Sequence, residues 1–496
     1  MNIQEIVDVI AYIEKKYQVD KWKIDDIPLW PFIRIENYYL LSLILLNGET
    51  GHDATSGSQI KQIIDSKLNL IRARANDKAK EAKPKRVDVL FLGDGISFAK
   101  LNNTWYQKFC DPIADQLNKE NISNTRFDLA DNFHTPRYSA SIFIQSKIDN
   151  AIIVSKLKSK LISPKFKSEK WEDYEQFLND PLVKDSLVVV LSKSEMRKKI
   201  AKIKALISYY NTILEDTKPK ICYIGAYYGD HQLAFILACK KLGIKTVDIQ
   251  HGVQGEFHLA YSNWLKVPNE GYAQLPDYFS VWSEEEKTCI EKWNNNLNTH
   301  KVVVSGNLFA NMWKLNDSDV VKAYDIKVND IIKFKDKPVV LLTLSPYTED
   351  ETKKIYKIIK ETQLEFNWLI RLHPGMLKKK AKILEAIKKH KIVNFELEES
   401  SDLPLYSILR NIDLHITVQS TCVIEAAEFG VKSIITSEYG RNLYLSSISN
   451  GDAVYLNNTS EIISYLSSHS KNSVSSTPRI QSTDNIISFT KKIIEN

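Results

Sequence analysis

At 496 residues, 43% of them hydrophobic and 26% charged, the chain is long enough for two or three domains and too apolar to be globally disordered. Its 67 basic and 61 acidic residues leave a net charge of +6, too small an imbalance at this length to argue for nucleic-acid binding. Five scattered cysteines (Cys110, Cys222, Cys239, Cys289, Cys422) without CxxC spacing argue against a disulfide framework or a zinc site and for a reducing compartment.

The first segment, MNIQEIVDVIAYIEKKY, has the pattern of an amphipathic helix rather than a signal peptide. Pro28 and Pro31 force a turn in KIDDIPLWPFIR, with Trp30 available to pack. The longest apolar run, Tyr38 to Leu46, is about half the length that spans a bilayer and reads as a buried helix. Residues 51–86 turn polar and then basic, as an exposed helix and linker would.

From Val87 the pattern changes. VDVLFLG, SLVVVLS (Ser186 to Ser192), ICYIGA and KTVDIQ are short apolar runs of the kind that form central parallel strands. HQLAFILACKKLG, between the last two, has helical spacing and stops at Gly243, so strand, helix and strand form a βαβ unit. YFSVWS and KVVVSGN continue the series. A polar stretch, Asn311 to Lys337, precedes a second one: PVVLLTLSP, NWLIRLHPG, KIVNFE, DLHITVQS and KSIITS, with the helical TCVIEAAEFG among them. The expected division is a helical and basic segment over 1–86, one Rossmann-like domain over 87–320, a second over 338–480, and an amphipathic helix over 481–496.

In open α/β sheets, ligands bind beyond the carboxyl ends of the strands, and five strand ends carry unusual residues. Asp94 lies between two glycines in FLGDGIS, where a carboxylate can take a proton or cap a turn. Asp230, in YYGDHQ, reads as a ligand contact or as a helix N-cap. Gln250-His251-Gly252 closes a strand, and His251, with an ordinary pKa of about 6.5, exchanges protons at neutral pH. Glu256 and His258 follow in the same loop. Arg371 and His373 alternate at the end of a strand that Pro374 stops, and two such groups suit a phosphate. Ser420 and Thr421 open a helix, with Glu425 one turn inside, another phosphate-binding pattern. The Asp317-Ser318-Asp319 triplet imitates a metal-binding DxD but lies in the linker, so no metal site is expected. There is no Walker loop and no GxGxxG after a strand, which excludes the common ATPase and nicotinamide signatures.

Two α/β halves, with QHG closing a strand in the first and RLHP and QSTCVIEAAEFG in the second, resemble GT-B-fold glycosyltransferases of bacterial surface polysaccharides. The similarity is to capsule and lipopolysaccharide enzymes that use CMP-activated ulosonic acids such as Kdo or sialic acid, and to CDP-glycerol phosphotransferases. The resemblance covers about residues 87–460. It implies a metal-independent, cytoplasmic glycosyltransferase without a cofactor, peripheral contact with the inner face of the cell membrane being compatible with it. The expected partners are a CMP-linked sugar donor and an oligosaccharide or lipid-linked glycan acceptor. By the same resemblance, Arg371, His373, Pro374, Ser420, Thr421 and Glu425 would hold the donor nucleotide, and Gln250, Gly252, Glu256 and Asp230 would face the acceptor or sugar. Asp94 would be the base for a CMP-sugar donor and His251 for CDP-glycerol. Transfer from a UDP- or GDP-sugar, a polyol phosphotransferase, a UDP-sugar epimerase of the same fold and a non-catalytic glycan-binding scaffold are the alternatives.

Overall fold

The computed structural model describes residues 2–47, 85–95, 97–129, 135–161, 168–169, 171–315, 318–344, 349–469 and 484–495. Most of the basic stretch at 51–86, and Asp317 of the DSD triplet, lie outside them.

The architecture is the expected GT-B-like one: two α/β domains, each built on a parallel sheet. The first sheet holds β1 (Val89–Gly93), β2 (Asn124–Asp128), β3 (Ile142–Phe143), β4 (Ile221–Gly225), β5 (Lys245–Ile249), β6 (Tyr278–Val281) and β7 (Lys301–Val304). Their spatial order is β3-β2-β1-β4-β5-β6-β7, all parallel. The second holds β8 (Val339–Leu344), β9 (Asn367–Leu372), β10 (Leu414–Thr417), β11 (Lys432–Ile435) and β12 (Ala453–Tyr455), in the order β9-β8-β10-β11-β12. Both are doubly wound orders. Each reverses direction once, at β1/β4 in the first sheet and β8/β10 in the second, and a crevice opens at such a reversal.

The strands read as continuous apolar runs because both faces of each sheet are covered. In β1, Leu90 and Leu92 pack on one face and Val89 and Phe91 on the other. The first face is covered by α1 (Ile3–Lys16), α2 (Trp30–Asn47), α3 (Lys193–Thr217) and α4 (Asp230–Lys241), so residues 3–47 share the first domain's core. The opposite face receives α8 (Asp484–Glu495), in which Ile486 and Ile487 pack against Phe91 and Tyr223. The Tyr223 hydroxyl lies 2.6 Å from Thr490 Oγ1. The chain therefore returns to the first domain after completing the second. Between them α5 (Glu284–Asn294) flanks the first sheet, and α6 (Lys380–Lys389) and α7 (Cys422–Glu428) belong to the second domain.

Three expectations fail locally. Ser186–Ser192 is not a strand. Leu187 is buried, but the N–H and carbonyl of Val189 bond to the Asn37 side chain at 2.8 Å each, which satisfies the backbone without a sheet neighbour. Lys391–Glu396 forms a single bridge, Glu396 to Leu369, rather than a strand. The helix over Tyr38–Leu46 is half-buried, with Tyr39 and Ile44 more than half exposed. A short hairpin, Phe98–Leu101 with Thr104–Gln107, was not foreseen and packs its Leu101 and Tyr106 beside Phe309 and Trp313. The turn expected around Pro28 is a tight hairpin at Asp25 and Asp26, both with positive φ, and Pro31 sits in the first turn of α2 rather than breaking it. All five thiols are buried and unpaired. Among the described residues no helix is long and apolar enough to cross a membrane.

One buried ion pair fastens the N-terminal helices to the rest. Glu14 Oε1 accepts from Arg34 Nε at 2.9 Å and from Trp30 Nε1 at 2.7 Å, and both charged side chains are fully buried. Glu14 Oε2 accepts from the Leu265 N–H at 2.7 Å, while Arg34 Nη2 donates to the carbonyls of Ser262 and Asn263 and its guanidinium lies 4.0 Å from the Trp264 ring. Removing one charge strands the other in the core. Glu14→Gln is therefore expected to destabilise the first domain by about 3–5 kcal/mol, read as a lower midpoint of its unfolding transition in urea.

Candidate active site

The strand ends at the first reversal converge on a small set of side chains. Asp94 follows β1, Tyr228 follows β4, and His251 follows β5. The Tyr228 hydroxyl lies 2.7 Å from His251 Nε2, and the edge of Phe109 meets the His251 ring with centroids 6.2 Å apart. Burial holds His251 below its ordinary pKa, with the nearby Asp94 carboxylate opposing that shift. Asp94 is fixed by Ser97, whose N–H donates at 3.1 Å and whose hydroxyl also donates to it, and Gln107 Nε2 lies at 3.4 Å. The two candidate bases thus belong to one site.

Beneath them lies a network that the sequence reading missed. Asp248, the buried acid within β5, accepts from the Tyr227 N–H at 2.8 Å and the Tyr261 hydroxyl at 2.9 Å. Burial pushes its pKa up to about 8. Burial also depresses His258 to about 3, and its ring packs against Tyr38, Tyr228 and Tyr261. The signal for this network was Asp248 itself, an acid between the apolar Val247 and Ile249 of a buried strand.

Several expected contacts have other roles. Gln250 is fully buried: its Nε2 donates to Gly252 O at 2.9 Å and to Glu286 at 3.3 Å, and its Oε1 accepts from the Trp282 N–H at 2.6 Å. It pins the end of β5 to β6 and α5, which leaves it out of reach of an acceptor. Asp230 turns to α3, where Lys199 and Lys202 hold it at 3.0 and 2.9 Å and outweigh the burial that would raise its pKa. It starts α4 without capping it, since Gly229 holds the cap position. Glu256 is exposed and pairs loosely with Lys292 at 3.4 Å. Gly252 has ordinary freedom around it: a Cβ there would meet nothing within 4 Å.

In the second domain the expected site residues lie at the ends of β9 and β10. His373 is exposed just past β9, and its Nδ1 accepts from the Gly375 N–H at 3.1 Å. The neutral ring therefore carries its proton on Nε2, a free donor, and partial burial keeps its pKa below the ordinary value. Pro374 begins the short 3₁₀ turn that His373 caps. Arg371 does not join His373. Its Nη1 donates to the carbonyls of Ser400 and Leu403 at 2.7 and 2.6 Å, anchoring the segment beside β9. Burial lowers its pKa, with Cys422 and Glu425 nearby in the opposite sense. Ser420 shapes the turn before α7, donating its N–H to Thr417 Oγ1 at 3.0 Å and accepting from the Cys422 N–H at 3.3 Å. Thr421 is exposed and its hydroxyl makes no capping bond. Glu425 lies beside Tyr406, whose hydroxyl accepts from Asn307 Nδ2 at 3.0 Å.

The two half-sites touch. Val253, in the loop that begins with QHG, packs in the cluster formed by Val423, Ile435, Tyr444 and Ala453, and Val423 lies in α7 two residues after Thr421. Tyr439 of the second domain packs against the core of the first. Among the described residues no group of three or more His, Cys, Asp or Glu is arranged to hold a metal ion.

No protein-family model matches the chain. No curated protein matches it either. Among solved structures the chain is similar to UDP-GlcNAc 2-epimerase from Neisseria meningitidis bound to UDP-GlcNAc (16% identity, TM-score 0.49, 82% of this chain and 99% of that one). It is similar to the epimerase of the same name from Methanocaldococcus jannaschii (14%, TM-score 0.49, 82% and 99%) and to a ugt transferase from Siraitia grosvenorii in complex with UDP (10%, TM-score 0.47, 83% and 100%). At these values the likeness assigns neither a reaction nor a residue role.

Two measurements test this geometry. Asp248 has a folded pKa raised above its unfolded value of about 3.9. The stability it contributes is full below that value and is lost as pH rises through about 8. Asp248→Asn cannot lose that proton, so its melting temperature should gain on the wild type as pH rises across that window. Gly252→Ala meets no steric obstacle in the protein. It should leave stability within about 0.5 kcal/mol while weakening any ligand that approaches the backbone there, measured as melting temperature against ligand titration.

Proposed function

We propose that the chain is a metal-independent glycosyltransferase that moves a sugar from a nucleotide-activated donor, CMP-linked in the favoured case, to a glycan acceptor. The observation that supports the reading is that Val253, two residues after His251, packs against Val423, two residues after Thr421, so the loop carrying His251 meets the helix that Thr421 opens. In this reading the acceptor hydroxyl gives its proton to Asp94. Its oxygen bonds to the anomeric carbon as the bond from that carbon to the donor phosphate breaks, and the nucleotide leaves with the electron pair. His373 Nε2–H and the Thr421 hydroxyl meet the charge that develops on the leaving phosphate. His251, buried and bonded to Tyr228, keeps a neutral polar wall beside Asp94. Glu425 and the turn at Ser420 border the nucleotide, and Arg371 supports that border from behind through residues 400–403.

The test separates binding from chemistry. Purified protein is screened by melting temperature against CMP, CDP, UDP, GDP and their sugar conjugates, because a ligand of the folded state raises the midpoint. CMP or a CMP-sugar should stabilise the wild type and Asp94→Asn alike, and His373→Ala should lose that stabilisation. With the sugar donor so identified, Asp94→Asn should lower the transfer rate by about 10²- to 10⁴-fold at unchanged donor affinity. A response only to UDP or GDP species would discard the CMP donor, and silence toward every nucleotide would sink the reading.

A further inference from the structure

The second domain carries a strongly basic flank that none of the roles above uses. Residues 376–391 hold seven lysines against one glutamate, a net +6 that equals the net charge of the whole chain. The remaining 480 residues sum to zero, the basic stretch at 51–86 being offset elsewhere in the chain. The segment follows His373 directly as a short 3₁₀ turn and then α6, which is ten residues long. Ile387 is buried and Ile383 and Leu384 pack against the core. Lys378, Lys382, Lys388 and Lys389 are exposed. At 1.5 Å per residue, α6 alone carries this charge over roughly 15 Å.

The far end of the flank is apolar and uncovered. Val393 and Leu364, 75% and 71% exposed, are the two most exposed large hydrophobic residues among the described residues. They are brought together by Gln363, whose Oε1 accepts from the Val393 N–H at 2.8 Å. Lysines surround the pair: Lys337 donates to the Leu364 carbonyl at 2.6 Å, and the Lys391 carbonyl accepts from Gln363. Leu377, 41% exposed, lies at the other end, near His373.

We propose that this flank docks on an anionic phospholipid surface. A solvated helix needs lysines alone, and an anionic polysaccharide would engage them without using Leu364, Val393 or Leu377. Apolar side chains projecting among lysines match a headgroup layer, where lysines attract the lipid phosphates and apolar tips enter the acyl boundary. Docking along α6 would set the His373 end of the crevice beside the bilayer. That consequence rests on the proposed function, whereas the docking itself does not.

The experiment is flotation of the full chain with vesicles of phosphatidylcholine alone or mixed with phosphatidylglycerol. The wild type should float with the mixed vesicles only and be released by salt. Lys378→Glu/Lys382→Glu/Lys388→Glu/Lys389→Glu should lose at least about tenfold in partitioning, since each lysine near such a surface counts for about 1 kcal/mol. Leu364→Ser/Val393→Ser should weaken it without changing the salt dependence. Unchanged melting temperature and nucleotide response in these variants certify the fold and keep this test separate from that of the transfer reaction. Equal flotation of variants and wild type would overturn the proposal. So would a wild type that ignores anionic vesicles, including one retained instead by an immobilised anionic polysaccharide.

Discussion

The loop after β5 is the constraint around which the first domain is organised. Residues 250–265 run without regular structure; beyond the Gln250 N–H, which reaches the Ser280 carbonyl of β6, and a few turns within the loop, their backbone polar groups need partners from elsewhere. The partners arrive from far along the chain. Glu14 takes the N–H of Leu265 and Arg34 takes the carbonyls of Ser262 and Asn263. The Tyr227 hydroxyl bonds the Ala260 carbonyl, and Gln250 holds the loop's first turn. The N-terminal helices are therefore part of the scaffold around His251 and His258, and Tyr38 of α2 packs directly on the His258 ring.

The two half-sites differ in character. On the first-domain side, burial lowers the pKa of His251 and His258 and raises that of Asp248, which disfavours charge on all three beside the Asp94 carboxylate. On the second-domain side, His373 and Thr421 are exposed and offer donors to whatever enters. A neutral wall beside one carboxylate suits the handling of a hydroxyl proton. An open rim of donors suits an anion. The contact of Val253 with the cluster around Val423 joins the loop that carries His251 to the helix that follows Thr421.

The parallel strands were legible in the sequence because burial on both faces removes polar residues from the run, as in VVLLTL and VLFLG. The same rule misread SLVVVLS, since an apolar segment whose backbone is satisfied by a side chain looks identical to a strand until Asn37 is seen. The strand-end rule picked out Asp94, His251, His373 and Thr421, and each does lie just past a strand. It could not tell that Gln250 and Arg371 face inward to backbone partners, because alternation fixes the side of a strand and not what lies there. Asp230 was misjudged for a related reason: its lysine partners sit on α3, which lies about thirty residues earlier in the chain. The Glu14–Arg34 pair was invisible in principle, as neither residue differs from a surface charge until the helices pack. The lysines of α6 were in plain view beside the His-Pro pair, and their exposed face emerged only when Ile383, Leu384 and Ile387 were seen to take the other side.

The return of α8 to the first domain has a mechanical consequence. The chain leaves that domain after β7 and comes back beside the same strand, where Asn485 Nδ2 donates to the Val304 carbonyl at 3.1 Å. A single covalent crossing is a tether, about which one body can swing and twist freely. Two crossings tie the second domain to the first at both of its ends, and the later tie is held by the packing of Ile486 and Ile487 on the first sheet.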